Sequence, residues 1–407
     1  MTAAKPITPE GLPLEGLRIL EIGHYIAAPF ATRVLADLGA EVIKVEPPVS
    51  GDPVRNWGKA RDGRSYWWSV HGRNKKCITL NLKSEEGRAL LHELVARSDA
   101  LVENLRPGQL AKLGFDDARL QAIRQDLVIC HISGYGLTGP LADRACFGAI
   151  GEALGGLRYL SNHTPGTSDL PPVRVGVSIG DSLAGLYAAI AVLAGLLSKA
   201  PAGRVADVAL TEAVLSVTEG VLPEYGATGM VREPSGGRIS TAAPTNAFPA
   251  ADGSWVLIAA NSDALFRTLC KLMQRPDLAD DPRYSDNPAR CRNVDVLEAE
   301  ISAWTRQHDA RELERRLAEA DIPSSRVYTA ADIAEDTQYN ARQMVQWVDD
   351  PRLGKVLHPG TVPMFGGSSR QVRWTGPDIG AHNREIYCGL IGVDEARLER
   401  LSRDGTL

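Results

Sequence analysis

The sequence predicts an α/β protein, with a doubly wound larger domain and a smaller α+β domain. Three observations carry that expectation. Apolar strand runs alternate with helical runs at βαβ spacing through the first half of the chain. After about Glu224 the style changes to shorter elements punctuated by proline and glycine. Finally, 407 residues exceed what one compact core usually holds, so two domains are expected.

Leu17-Arg18-Ile19-Leu20-Glu21-Ile22 reads as a buried strand. Pro29 to Leu38 reads as a helix with proline in its first turn, closed by Gly39, and Glu41 to Glu46 as a second strand. Strand, helix and strand in so short a span form a parallel βαβ unit. The alternation continues with a strand at Cys77–Leu82, a helix at Leu90–Ser98 and a strand at Ala100–Glu103, then a helix at Leu120–Arg124 and a strand at Leu127–Ser133. After Asp181, residues Leu183, Leu186, Tyr187, Ile190, Leu193 and Leu197 fall at helical spacing. Ala184, Gly185, Ala188, Ala191, Ala194 and Gly195 keep that helix thin enough to pack closely. It breaks at Lys199-Ala200-Pro201-Ala202-Gly203, followed by a strand at Val205–Leu210 and a helix at Thr211–Glu219.

Beyond Gly236-Gly237, Pro244 and Pro249, a strand at Ser254–Ala260 precedes helices at Ser262–Met273, Val294–Thr305 and Ala310–Ala320. After Asp336 the chain reads as irregular, through His358-Pro359-Gly360, Pro363 and Gly366-Gly367, and ends in two short helices.

Composition excludes several classes. A net charge of -5 gives no reason to expect nucleic acid. No segment is expected to reach membrane-spanning length free of charge. The leader MTAAKPITPEGLPLEGL lacks the apolar run of a secretory signal and reads as a disordered tail. The 6 cysteines show no CxxC spacing and the 8 histidines no HExxH. Reduced, mostly buried thiols in a cytoplasmic protein follow, with no metal site.

Asp181 is the most informative residue. The run Val173-Arg174-Val175-Gly176-Val177-Ser178-Ile179-Gly180 delivers its carboxylate to the start of a long Ala-rich helix. Free backbone N–H groups and the positive helix end favour the charged form there. On the residues alone it fits either a helix cap or a nucleophile.

Other segments are equally two-sided. The turn Gly23-His24-Tyr25-Ile26-Ala27-Ala28-Pro29 lacks GxGxxG, which argues against NAD or FAD even though Glu46 ends the next strand. The turn still lies at the carboxyl end of a strand, where ligands bind, and His24 fits a ligand contact or a local loop residue. Arg73-Asn74-Lys75-Lys76 beside Tyr66-Trp67-Trp68 fits a phosphorylated, adenine-bearing ligand or a lysine-guarded sheet edge. Asn104 fits a site at the functional edge of the sheet or a plain turn before Pro107. Ser133 to Pro140 is glycine-rich, which suits close backbone approach or a structural loop. Ser235-Gly236-Gly237-Arg238 fits a closing loop or an interdomain linker.

Taken in order, these segments resemble the class III CoA-transferase family, which includes formyl-CoA transferase and carnitine CoA-transferase. The resemblance runs from Leu14 to about Gly389. It rests on LEGLRILEIGHYIAAPFATRVLADLGAEVIKVEPP, on NKKCITLNLKSEEGRALLHELVARSDALVENLRPGQLAKLGF and on ISGYGLTGP. It continues through PPVRVGVSIGDSLAGLYAAIAVLAGLL, GRVADVALTEAVL, DPRYSDNPARCRNVDVLEAEISAWT and ADIPSSRVYTAADI.

The resemblance implies a Rossmann-like large domain built from both chain ends, residues 1–223 and 331–407, around a small domain at 224–330. It implies an interlocked homodimer and no tightly bound cofactor, with a coenzyme A thioester as substrate. Asp181 becomes the nucleophile, forming an acyl anhydride and then an aspartyl-CoA thioester. Gly236 and Gly237 match the mobile loop over it, which would exclude water. His24, Tyr25, Ile26 and Ala27 match the CoA-contacting turn. Lys75 and Lys76 fall near the phosphates, and Asn104, Leu105 and Lys112 along the CoA path.

Departures bear on the substrate. The formyl-CoA enzyme has glutamine where Ile26 stands, arginine where Pro47 stands, and Tyr-Glu where Phe147-Gly148 stand. Loss of the glutamine and the glutamate, and the space at Gly148, disfavour oxalate and imply a larger acceptor. A dicarboxylate such as mesaconate, citramalate, itaconate, glutarate or benzylsuccinate is expected, with succinyl-CoA as donor. Arg174 or Arg238 would receive the distal carboxylate, or be ordinary surface arginines. One alternative is an α-methylacyl-CoA racemase, but this needs a His-Asp pair at Cys146-Phe147-Gly148, and phenylalanine exchanges no proton. Another is a CoA-binding subunit of a heteromer, in which Asp181 would mark the active chain.

Overall fold

The computed structural model describes residues 11–365 and 371–407. The start of the expected leader and the whole of Gly366-Gly367 lie outside them. The chain forms two compact units. The first comprises the segments up to Arg158, Val175–Ala227 and Asp336–Leu407; the second comprises Tyr159–Arg174 and Thr228–Glu335. The small unit thus takes in an earlier segment, Tyr159–Arg174, that the sequence reading assigned to the large one.

The first unit is built on a six-stranded sheet. Its strands are β1 (Arg18–Ile22), β2 (Glu41–Glu46), β5 (Lys75–Thr79), β6 (Ala100–Glu103), β7 (Val128–Ser133) and β8 (Val205–Ala209), while β3 (Ala60–Arg61) and β4 (Arg64–Ser65) form a separate two-stranded ladder. The order is β5-β2-β1-β6-β7-β8 and every pairing is parallel. Counting only these six strands, it is the doubly wound order 3-2-1-4-5-6.

Strand residues alternate between two cores. Leu20, Ile43, Leu101 and Ile129 face one that includes the helix α3 (Glu85–Ala96) and the C-terminal Tyr387 and Leu401. Ile19, Val42, Val102 and Cys130 face the other, made with α1 (Ala27–Asp37) and α8 (Ile179–Leu197). Both faces being covered explains why these strands read as continuous apolar runs.

The remaining helices of this unit are α2 (Tyr66–His71), α4 (Gln109–Lys112), α5 (Asp117–Ile123), α6 (Gly148–Leu154), α7 (Leu157–Leu160), α9 (Leu210–Leu215) and most of α10 (Val221–Thr228). The helix expected at Thr211–Glu219 stops short at Leu215, and α10 begins beyond that span. The C-terminal segment returns to the edge strand β5: Cys77 and Thr79 donate backbone N–H bonds to His382 and Asn383 at 3.1 and 2.9 Å. It also contains an antiparallel hairpin, Val345–Asp350 with Gly354–Pro359, where the sequence reads as irregular.

Helix α8 packs closely, as its small residues allow. Its buried stripe is the small-residue face, Ala184, Gly185, Ala188, Ala189 and Val192. A Cβ on Gly185 would stand 2.8 Å from the Ala27 carbonyl oxygen, so α8 lies directly on α1. The larger residues Leu186, Ile190 and Leu197 are instead 43, 58 and 84% exposed. By length and composition α8 is apolar enough to cross a membrane, contrary to the expectation that no segment would be.

The second unit has a three-stranded antiparallel sheet, Ser324–Arg326, Trp255–Ala259 and Thr245–Pro249. Phe248, Val256 and Ile258 pack with Phe266, Leu297, Ile301 and Leu313 of its helices in a separate core.

Candidate active site

The strand order reverses between β1 and β6, and ligands of doubly wound sheets bind at the carboxyl edge of that switch point. Two turns meet there. The first follows β1. Tyr25 has φ of +64°, a sparsely populated region for a bulky residue. Its N–H donates to Asp52 at 3.0 Å, which also accepts from Val54 and pairs with Lys44 at 2.8 Å. Lys44 bonds Glu21 at 2.6 Å and the Gly23 carbonyl at 2.8 Å, while Lys75 takes the other Glu21 oxygen at 2.8 Å. Two buried carboxylates and two buried ammonium groups thus balance beneath the turn. Burial opposes the charge on Glu21, but Lys44 and Lys75 outweigh it and pull its pKa down to about 2.

The second turn follows β6. The Asn104 side chain accepts from the His24 N–H at 2.8 Å and donates to the His24 carbonyl at 2.9 Å. Both backbone groups of His24 are thereby satisfied by one amide. Gly23 is needed for this approach, since a Cβ there would stand 3.0 Å from Asn104 Oδ1 and 2.5 Å from Ala28. Just before Asn104, Glu103 accepts from Leu105 N–H at 2.6 Å and bonds His131 at 2.5 Å; His131 reaches Asp117 at 2.9 Å with its other nitrogen.

Asp181 approaches from a third direction. It is the third residue of α8, whose N-cap is Ser178, so it does not occupy the cap position. The start of α8 rests on α6 through two glycines: a Cβ on Gly180 would stand 2.8 Å from the Gly148 carbonyl, and one on Gly148 2.6 Å from Asp181 Cγ. Burial, reinforced by the charge of Asp181, keeps the nearby Cys146 thiol protonated, with its pKa above the ordinary value. Burial lowers the pKa of His24, so its imidazole is neutral near neutral pH.

A cavity of about 340 Å³ opens between these turns. His24, Tyr25, Ala27, Asn104, Leu105, Phe147 and Asp181 line it, as do Arg106, Gln109, Ser133, Gly134, Asp143, Arg144 and Cys146. The first seven are sequence-predicted. Ser133 and Gly134 belong to the glycine-rich loop that on its residues alone suits close backbone approach or a structural turn equally. Arg106 stands inside the ENLRPG segment already singled out for Asn104, whereas nothing in the local pattern marks Asp143 or Arg144.

Other expected site residues lie elsewhere. Ile26 is buried against Val54, Trp68 and Cys77. Lys75 is fully buried on Glu21, and Lys76 pairs with Glu41 and Glu385 at 2.5 and 2.6 Å, so neither presents an open ammonium group to a phosphate. The strand begins at Lys75 rather than Cys77, which turns that lysine inward. Lys112 is exposed at the end of α4, whose first residue Gln109 lines the cavity.

Gly236, Gly237 and Arg238 belong to the second unit. Gly236 has φ of +65°, and a Cβ on Gly237 would stand 2.7 Å from Asn246 Oδ1. Arg238 bonds Glu298 and Asp295, each at 2.7 Å, so it is already committed to two carboxylates. Arg174 is exposed in that unit. Among the described residues no group of three His, Cys, Asp or Glu side chains could hold a metal ion.

Comparison with known proteins decides the family. The family described as CoA-transferase family III matches residues 14–383. The chain belongs to CoA-transferase family III. Enzymes of this family take CoA thioesters as substrates. A Chloroflexus aurantiacus protein named succinyl-CoA–D-citramalate CoA-transferase is 44% identical over 392 residues, spanning 96% of each chain. The alpha subunit of a succinyl-CoA–L-malate CoA-transferase from Chloroflexus aurantiacus is 35% identical, covering 96% of this chain and 92% of its own. Among solved structures, a CAIB/BAIF family protein from Brucella suis superposes with a TM-score of 0.82 at 32% identity, covering 93% of this chain and 99% of that one.

Proposed function

We propose that this class III CoA-transferase moves CoA from succinyl-CoA to a dicarboxylic acid, with Asp181 as nucleophile. The observation that carries the reading is Asp181 itself: its carboxylate lines the switch-point cavity from the first turn of α8, where the helix end favours the anion. An Asp181 oxygen attacks the thioester carbon, the CoA thiolate leaves, and a mixed anhydride forms. The thiolate then attacks the aspartyl carbonyl, releasing the acid and leaving an aspartyl-CoA thioester. The acceptor carboxylate attacks that thioester, again expelling the thiolate. The thiolate takes the acceptor's carbonyl and restores Asp181. No proton needs to be moved, which suits a neutral His24 and a protonated Cys146.

The dicarboxylate assignment is supported by the names of the citramalate and malate relatives. A homodimer is supported by the exposed apolar face of α8, which a second copy would cover. The decisive experiment incubates the protein with succinyl-CoA and a panel of dicarboxylates and detects new acyl-CoAs by mass. Transfer is expected in wild type and lost in Asp181→Ala with the fold retained. Epimerisation of a 2-methylacyl-CoA without transfer would overturn the reading.

A further inference from the structure

A second carboxylate on the transferred acid has to be met by a cation, or be desolvated against Asp143 and Asp181, both of which line the cavity. Of the two arginines foreseen for this task, Arg238 is already paired twice, with Asp295 and Glu298. His24 contributes no charge at neutral pH. Two cationic side chains do line the cavity, Arg106 and Arg144, and neither makes an ion pair with any described residue.

The two differ in what they stand beside. Arg106 belongs to the turn of Asn104 and Leu105. Arg144 belongs to the segment that runs through Cys146 and Phe147 into Gly148, the residue directly against the Asp181 carboxylate. Its backbone is held in a turn, with its N–H donating to the Leu141 carbonyl at 2.9 Å. An acyl group bonded to Asp181 therefore starts out beside that segment, whose Arg144, Cys146 and Phe147 line the cavity and whose Gly148 touches the carboxylate.

We infer that Arg144 is the specificity-determining residue that receives the distal carboxylate of the succinyl donor and of the dicarboxylic acceptor. Guanidinium and carboxylate match as a bidentate pair, and the exposed position lets Arg144 retain water until the acid arrives. The inference rests on the proposed aspartyl mechanism, and the test separates the two.

Wild type, Arg144→Gln, Arg144→Lys and Arg106→Gln are each mixed with succinyl-CoA or butyryl-CoA, without acceptor. The rate of enzyme-bound CoA thioester formation is read by intact mass. Butyryl-CoA has the same chain length without the second charge. Arg144→Gln should slow the succinyl reaction about a hundredfold while leaving the butyryl reaction within about threefold, with Arg144→Lys intermediate. The butyryl arm also reports that the variant is folded. Equal loss for both thioesters, loss for neither, or a succinyl-selective loss in Arg106→Gln instead would overturn the assignment. Absence of any enzyme-bound thioester in wild type would overturn the mechanism itself.

Discussion

The Asp181 carboxylate stands where a side chain at residue 148 would have to be: a Cβ built on Gly148 reaches 2.6 Å from Asp181 Cγ and still closer to one of its oxygens. Gly148 does not adopt a left-handed conformation, so its backbone alone does not require glycine. The requirement is space for the Asp181 carboxylate.

Gly148→Ala should therefore fold but displace the carboxylate. A misplacement of this size costs about a hundredfold in rate. Steady-state transfer should show kcat falling with KM for the acyl-CoA little changed, and thermal melting should move by no more than a few degrees. Full activity in this variant would show that the reacting carboxylate sits elsewhere.

Asn104 and His24 provide the second test, because one amide satisfies two backbone groups of the turn. Asn104→Ala leaves both to find water, and about 2 kcal/mol is at stake at roughly 1 kcal/mol per bond. Much of that loss falls on the shape of the binding turn, so KM for the acyl-CoA should rise about tenfold or more. Asn104→Asp keeps the acceptor and loses the donor to the His24 carbonyl, and should be intermediate at best. Unchanged KM in both variants would mean that the turn is held by Asp52 and Tyr25 alone.

Much of this fold was legible in the residues. The six parallel strands lie close to where the apolar runs predicted them, because alternation of buried strands and amphipathic helices is a local signal. The hairpin Val345–Asp350 with Gly354–Pro359 was missed, since its strands carry Gln346, Asp349, Lys355 and His358 and lack a continuous apolar run. At the site, His24, Asn104 and Asp181 were visible as polar residues at strand or helix ends. Lys75 was misplaced for a physical reason. A lysine near a strand start normally snorkels outward, but Glu21 on another strand provides a buried partner that no local pattern reveals. The Asp52–Lys44 support of Tyr25 was invisible on the same ground.

His131 makes stability depend on pH. Burial disfavours its charged form, but hydrogen bonds and charges from Glu103 and Asp117 outweigh this and raise its pKa above 6.5. A raised folded pKa contributes stability that is fully present below the unfolded value and disappears as pH rises through the folded one. His131→Gln removes the titration, so the difference in Tm between wild type and variant should narrow as the pH rises above about 6.5 and through the raised folded pKa. A difference constant over that range would show that the histidine between Glu103 and Asp117 is not charged.

Helix α8 yields the last prediction. Its small face packs on α1 within the unit, and Leu186, Ile190 and Leu197 remain open on the other side. Leaving three large apolar side chains on one helix face in water is unfavourable, and a second copy of the chain would cover them. Ile190→Glu places a charge in the centre of that face, where burial without a partner is costly. Wild type should sediment as a dimer, and Ile190→Glu should shift towards the monomer or lose several degrees of Tm at equal protein concentration. Because Asp181 lies at the start of this helix, loss of the dimer should also lower transfer activity, and raising the protein concentration should recover part of it. A wild-type monomer, or a variant that dimerises as well as wild type, would mean that this face is covered by something other than a second copy.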